Sequence, residues 1–183
     1  EKVYDRIINK GRELTGVKKA LFFWAVRLGD QLKANPAERS LWYNIRLKIA
    51  DKLIFSKWRE ALGGELKGVI SGGAALQPRL ARIFRAAGIR VQEGYGLTET
   101  SPIVSATMAD YPGVKWGSAG LVPDDIEVKI AEDGEILVRG DNVMIGYYKD
   151  PEKTKEVLYS DGWFSTGDIV NVDENEMFSV TDR

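Results

Sequence analysis

The sequence predicts an α/β chain in three stretches: a helical N-terminal segment, a parallel-strand α/β unit, and a small β-rich subdomain. Three observations carry that prediction. Apolar residues recur at helical spacing between Leu14 and Trp58, a strand–helix–strand pattern with glycine-containing loops runs from 66 to 96, and short alternating runs joined by tight turns follow Asp110. The corresponding division is 1–110 for the helical and α/β part and 111–183 for the β-rich part.

In the helical segment a first stripe runs through Leu14, Val17, Leu21, Trp24, Ala25 and Leu28. After the break at Asn35-Pro36 a second stripe runs through Trp42, Ile45, Ile49, Leu53 and Trp58. Each stripe needs a cover. Two covers are open: the rest of the domain, with the basic residues solvated, or a membrane surface or acidic lipid-like ligand meeting a basic, Trp-containing face over residues 1–60.

Leu66 to Ser71 reads as a short strand, Gly72-Gly73-Ala74 as its loop, and Pro78 as the first residue of a helix carrying Leu80, Ile83, Phe84 and Ala87. Gly88 stops that helix, and Ile89 to Gln92 forms a second strand that leads into Glu93-Gly94-Tyr95-Gly96. A strand–helix–strand unit normally gives parallel strands with both loops on one edge, and ligands bind beyond the carboxyl ends of such strands. Further on, Ile126–Ile130 and Glu135–Arg139 alternate and join through Asp133-Gly134, a hairpin turn. Pro151 opens a helical turn through Val157, and Ile169–Val172 with Met177–Thr181 forms a second hairpin.

Composition narrows the chemistry. With 183 residues, 44% hydrophobic and 10% aromatic, the chain can bury a core of its own. It contains no cysteine, which excludes disulfides, thiolate nucleophiles and zinc–thiolate sites, and no histidine, which removes the usual general base and the commonest metal ligand. A metal would sit on oxygen, and magnesium is the expected one. Net charge is −1, but basic residues outnumber acidic ones about two to one in the first 60 residues. No apolar run approaches the roughly 20 residues needed to span a bilayer, nothing at the start resembles a signal peptide, and the expected address is the cytoplasm, with the basic face leaving room for membrane association. No nucleic-acid partner is expected.

Several residues carry possible chemistry. Gly72 and Gly73 allow a flat ligand close to the backbone, or simply make a turn. Tyr95, flanked by Gly94 and Gly96, offers a ring for stacking on a base, or packs in the core. The Thr98 hydroxyl and the Glu99 carboxylate suit a phosphate and its metal, or a helix cap with a first-turn acid. Asp168, after Gly167, is an acceptor for paired sugar hydroxyls or one more turn aspartate. Arg183 could reach ribose or phosphate, or stand in solvent.

Taken in order, GGAAL from Gly72, YGLTETSP from Tyr95, GEILVRGDNVMIGYYKDPEKT from Gly134, DGWFSTGD from Asp161 and TDR from Thr181 resemble the adenylate-forming family of acyl-CoA synthetases, luciferases and peptide-synthetase adenylation domains. The resemblance covers 66–183, while EKVYDRIINKG with LFFWAVRLG is similar to the long-chain fatty acyl-CoA synthetase (AMP-forming) branch. It implies a partial adenylate-forming large domain, with 1–110 holding the nucleotide-binding part and 111–183 ending at the hinge to a further C-terminal domain. By the same resemblance Gly72, Gly73 and Ala74 lie against one face of adenine, Tyr95 on the other, and Glu93, Gly94 and Gly96 beside it. Thr98 contacts the α-phosphate, Glu99 binds magnesium, and Asp168 and Arg183 hold the ribose; Thr98 and Glu99 are the catalytic pair.

The implied reaction is activation of a fatty acid by ATP to acyl-AMP and pyrophosphate, followed by displacement of AMP by CoA. The carboxylate is ionised at neutral pH, so no base is needed and catalysis rests on positioning and charge stabilisation. The Ser/Thr/Gly-rich phosphate loop of the family, ending in Lys-Gly, and its lysine-bearing C-terminal domain have no counterpart in these residues. The chain is therefore expected to be a segment that folds and binds an adenylate weakly without catalysing alone. Other expectations are activation of aryl, short-chain or amino acids, or a non-catalytic lipid- or membrane-binding module.

Overall fold

A computed structural model describes residues 2–73 and 76–182. Contacts divide the chain into two compact units, residues 1–69 with 76–91 and residues 70–75 with 92–183. The division thus falls after Val91, whereas the sequence pattern changes at 110/111. The reason is β2, whose last residues pair forward with the second unit.

The first unit is helical. α1 (Lys2–Glu13) and α2 (Gly16–Asp30) form a hairpin in which Gly11 lies under Phe22, so closely that a Cβ there would fall 2.1 Å from the ring. α1 lies ahead of the Leu14 stripe and was not among the sequence expectations. Ser40 caps α3 (Leu41–Ala50) by accepting from the Tyr43 amide, and the helix runs through a π-turn (Asp51–Phe55) into α4 (Ser56–Ala61). Phe22, Phe55 and Trp58 make an aromatic core, with ring centroids 5.7 Å and 5.3 Å from Trp58.

Arg59 fixes the far end of this helix, donating to both oxygens of Asp51 and to the Ala87 carbonyl. α5 (Pro78–Ala86) packs on α2 and is tied to it by Arg82, which donates to the Asp30 carbonyl and carboxylate. Gly88, at φ +75°, ends α5 as the sequence predicts. The second apolar stripe is not covered within this unit: Trp58 is buried, but Trp42, Ile45, Ile49 and Leu53 are exposed, Trp42 by 67%. The helix buries Ala50, Phe55 and Trp58 instead.

β1 (Gly68–Ser71) and β2 (Arg90–Tyr95) each start in the first unit and finish in the second. A Cβ on Gly68 would lie 3.3 Å from the Arg90 carbonyl oxygen, and one on Gly72 would lie 3.5 Å from that of Gly94. Both strands therefore advance together, which is the parallel arrangement expected of a strand–helix–strand unit. β3 (Ser105–Ala106) completes this sheet antiparallel to β2 through Gly94↔Ala106 and Tyr95↔Ser105. That pairing carries β2 through Glu93–Tyr95, where a loop was expected.

The second unit holds an antiparallel sheet in the order β4 (Ile126–Ile130), β5 (Glu135–Gly140), β6 (Phe164–Val172) and β7 (Phe178–Asp182). Asp133-Gly134 turns β4 into β5, with Gly134 at φ +90°. α6 (Pro151–Val157) starts at Pro151, capped by the Asp150 carboxylate accepting from the Lys153 amide. Val104, Ile136, Val138, Val170 and Phe178 form the core.

Residues 118–121 join the two sheets. The Ala119 amide donates to Phe178 O, the Phe178 amide to Gly120 O, and Ala106 and Leu121 exchange both backbone bonds. Gly120 is the crossing point. At φ +90°, a Cβ on it would sit 2.0 Å from the Ala106 carbonyl carbon.

Candidate functional site

A cavity of about 820 Å³ lies wholly within the second unit, lined by the end of β2, the turn after it, residues 117–119 and parts of β6 and β7. That volume lies in the range of pockets that hold one small organic ligand. Its two ends carry different chemistry.

At one end Tyr95 and Asp168 meet. The Tyr95 hydroxyl donates to Asp168 Oδ2 at 2.8 Å, across 73 residues of sequence, and the Tyr95 ring packs against the core. The two stretches expected to share a ligand are therefore joined directly. Asp168 is not in a turn, as one reading of the sequence had it: it lies inside β6 and is 5% exposed.

A bulge presents that carboxylate. The β5–β6 register shifts between Glu135↔Ile169 and Leu137↔Ser165, and Gly167 takes φ +74° with open space where a Cβ would stand. Glu135 fastens the bulge by accepting from Ser165 Oγ at 2.6 Å and from the Gly167 amide at 2.7 Å. Thr166 fastens it from the other side, its hydroxyl donating to Ile136 O and accepting from the Asp168 amide.

At the other end a 3-10 turn, Thr98–Thr100, carries Thr98 and Glu99. The two threonines of the turn have separate tasks. Thr100 is fully buried and holds the turn, its hydroxyl accepting from the Leu97 amide at 2.9 Å, whereas Thr98 is exposed and lines the cavity.

Residues 140–148 buttress the turn from behind. The Asn142 side-chain amide donates to the Thr100 and Ile103 carbonyls, the Met144 amide donates to Glu99 O at 2.8 Å, and the Tyr147 hydroxyl donates to Glu99 Oε1 at 3.0 Å. Burial, then the Glu99 hydrogen bond and charge, push the Tyr147 phenol above its ordinary pKa, so it stays a donor through the neutral range.

Of the sequence-predicted residues, Gly73, Glu93, Gly94, Tyr95, Gly96, Thr98, Glu99 and Asp168 line this cavity. Gly72 stands against the Gly94 carbonyl of the neighbouring strand. Ala74 and Arg183 lie outside the described residues. Gly96 is a residue of close approach, since a Cβ on it would fall 1.6 Å from the Pro102 carbonyl oxygen. Glu135, Asn142, Tyr147 and Thr166 were not singled out. Glu135, Asn142 and Tyr147 lie in the GEILVRGDNVMIGYYKDPEKT stretch and Thr166 in DGWFSTGD, so the motifs flagged their neighbourhood though not their roles.

The fit to a metal is decided by the donor set. Among the described residues no three His, Cys, Asp or Glu gather to hold an ion on protein groups alone. Magnesium, however, is often bound by one or two carboxylates with phosphate oxygens and water supplying the rest. Glu99, with one oxygen engaged by Tyr147, fits that role toward a nucleotide's ion.

Comparison with known proteins agrees with this architecture. The family described as AMP-binding enzyme is matched over residues 14–148, and the chain belongs to that family. Its relatives include the long-chain-fatty-acid–CoA ligase FadD15 of Mycobacterium bovis, 42% identical over 74% of this chain and 22% of that protein. Fatty acyl-CoA synthetase A of Dictyostelium discoideum is 35% identical over 100% of this chain and 28% of its own length. The chain thus spans about a quarter of these relatives. Among solved structures, the Mycobacterium tuberculosis fatty acyl CoA synthetase aligns with TM-score 0.58 and 29% identity, over 71% of this chain and 29% of that one. The o-succinylbenzoate coenzyme A synthetase of Bacillus subtilis, in complex with ATP and magnesium ion, aligns with TM-score 0.58 and 28% identity, over 69% and 30%.

Proposed function

We propose that this chain forms the nucleotide-binding part of a long-chain fatty acid:CoA ligase, and that its cavity holds the adenylate. The observation that carries the reading is the Tyr95–Asp168 bond in a cavity that also receives Thr98 and Glu99. The named activities of the relatives supply the substrate class.

In this reading adenine lies in the cavity by Gly73, Glu93 and Gly94 and stacks on the Tyr95 ring. Asp168, presented by the bulge, accepts from the ribose hydroxyls, and Ala74 and Arg183 are assigned to the same nucleoside by sequence. Thr98 donates to an α-phosphate oxygen. Glu99 holds the magnesium ion, which when bound would neutralise phosphate charge.

The fatty-acid carboxylate forms a bond to the α-phosphorus as the bond to pyrophosphate breaks. In the second half-reaction the CoA thiol releases its proton to solvent, its sulfur bonds to the acyl carbon, and the bond from that carbon to the phosphate oxygen breaks as AMP leaves. The residues of this chain contribute orientation and hydrogen-bond donors at the charge that develops.

Calorimetric titration of the 183-residue chain with AMP tests the nucleotide assignment. Tyr95→Phe keeps the ring and loses the donor, and is expected to weaken AMP binding about fivefold, the scale of one hydrogen bond. Tyr95→Ala also loses the stacking surface and is expected to cost about 1–3 kcal/mol. Equal affinity for all three proteins would remove Tyr95 from the site.

A second reading concerns the first unit alone. Leu41, Trp42, Ile45, Ile49 and Leu53 stand exposed along one continuous helical run, with Lys48, Lys52 and Lys57 exposed beside them. Of the two acids of this run, Asp51 is paired with Arg59, and Glu60 stands exposed near its end against the three lysines. An apolar row edged by lysines complements an anionic bilayer surface, and we propose such a surface as its occupant. No helix among the described residues is long and apolar enough to cross a membrane. The chain is expected to co-sediment with phosphatidylglycerol vesicles, less with phosphatidylcholine ones, and to be released by salt. Ile45→Asp with Ile49→Asp should abolish binding; no sedimentation, or sedimentation indifferent to lipid charge, overturns the assignment.

A further inference from the structure

The geometry points to Tyr147 as a positioning residue for the metal-binding carboxylate: its hydroxyl takes one oxygen of Glu99 and so fixes the direction in which the other is presented. This rests on the reading of Glu99 as the residue that holds magnesium.

Glu99 sits on a turn of a single 3-10 unit, which by itself restrains a three-bond side chain poorly. Its backbone carbonyl is held by the Met144 amide at 2.8 Å and its carboxylate by the Tyr147 hydroxyl at 3.0 Å, so main chain and side chain are both gripped from one segment. Tyr147 is itself anchored. Its amide donates to Thr154 Oγ1 at 2.9 Å, that hydroxyl donates on to Asp150 O, and the ring lies under Lys153, 5.0 Å from its centroid.

Gly146 makes the approach feasible. It takes φ +143°, and a Cβ there would stand 2.9 Å from Thr154 Cγ2. The conformation and the space both call for glycine immediately before the tyrosine. A carboxylate with one oxygen occupied by a phenol binds a cation through the other, and loss of a partner behind a metal ligand typically lowers metal affinity about 10–100-fold.

The test is the metal dependence of nucleotide binding by the 183-residue chain, with manganese as a spectroscopic stand-in for magnesium. Tyr147→Phe is expected to raise the manganese concentration for half-maximal ATP binding about tenfold, with broadened site geometry in the electron paramagnetic resonance spectrum, and to leave metal-free AMP binding unchanged. Thr154→Val, which removes the hydroxyl anchoring the Tyr147 amide, should shift metal dependence in the same direction by less. Glu99→Gln supplies the reference.

A Tyr147→Phe protein with wild-type metal dependence, alongside a Glu99→Gln protein that has lost it, overturns the positioning role and leaves Glu99 standing. Equal weakening of AMP binding without metal assigns Tyr147 to general support of the fold and likewise overturns it. Metal dependence unaltered in both variants removes the metal from Glu99, and this inference with it.

Discussion

Asp168→Ala is expected to weaken AMP binding by one to two orders of magnitude. The carboxylate is 5% exposed, lines the cavity and accepts from Tyr95, so its loss removes the proposed sugar acceptor and leaves a phenol without that partner. Hydrogen bonds to a charged group contribute about 1.5–3 kcal/mol each, which is the scale of the effect. Titration calorimetry with AMP and with 2′-deoxy-AMP reads it: the wild-type chain should prefer the ribonucleotide, and the variant should lose that preference together with affinity. A variant that binds both as the wild type does would end the ribose assignment. Asp168→Asn keeps the shape and one acceptor, and its loss should be smaller.

Gly120→Ala is expected to be severely damaging to the second unit. Its φ of +90° disfavours any side chain, and the added Cβ would stand about 2 Å from three backbone atoms of Ala106 and Thr107, which cannot swing aside. A loss of about 3–5 kcal/mol in urea unfolding follows, at the upper end of single substitutions. Gly63→Ala is the matched control, having φ +95° but nothing within 4 Å of its added carbon, and should cost about 1 kcal/mol. Similar losses at both positions would mean that backbone strain, rather than overlap, governs Gly120.

What could be read in the sequence was whatever local chemistry determines. Asp133-Gly134 marks its hairpin because the turn ends on a left-handed residue, Gly134 at φ +90°, and Pro78 and Gly88 bracket α5 because one cannot sit in a helix interior and the other readily leaves it. Tyr95, Thr98, Glu99 and Asp168 were legible as candidates because a motif places polar groups next to glycines. Their meeting was an inference from resemblance; the coordinates supply the 2.8 Å bond.

Other features depend on distance across the fold. Glu135 reads as one more exposed acid on an alternating strand until the register shift brings the Gly167 amide to it. Tyr147 looks like half of a surface Tyr pair, and no local pattern announces a partner 48 residues earlier. β2 outran its expected end because Gly94 and Tyr95 found partners in β3, a tertiary fact. The cover of the Trp42 row stayed open for a simpler reason: helical periodicity shows that a face is apolar, never what covers it.

The crossing strand at Gly120 also bears on how occupancy and folding are linked. Tyr95 belongs to one sheet and Asp168 to the other, and the backbone stitches of residues 118–121 run between those same two sheets. A nucleoside gripped by both side chains would act as another rivet along that seam, present only in the folded state. Ligand concentration then becomes a stabiliser in its own right, growing by RT ln(1 + [L]/Kd), and a cell's adenylate level would help decide how long this seam stays shut.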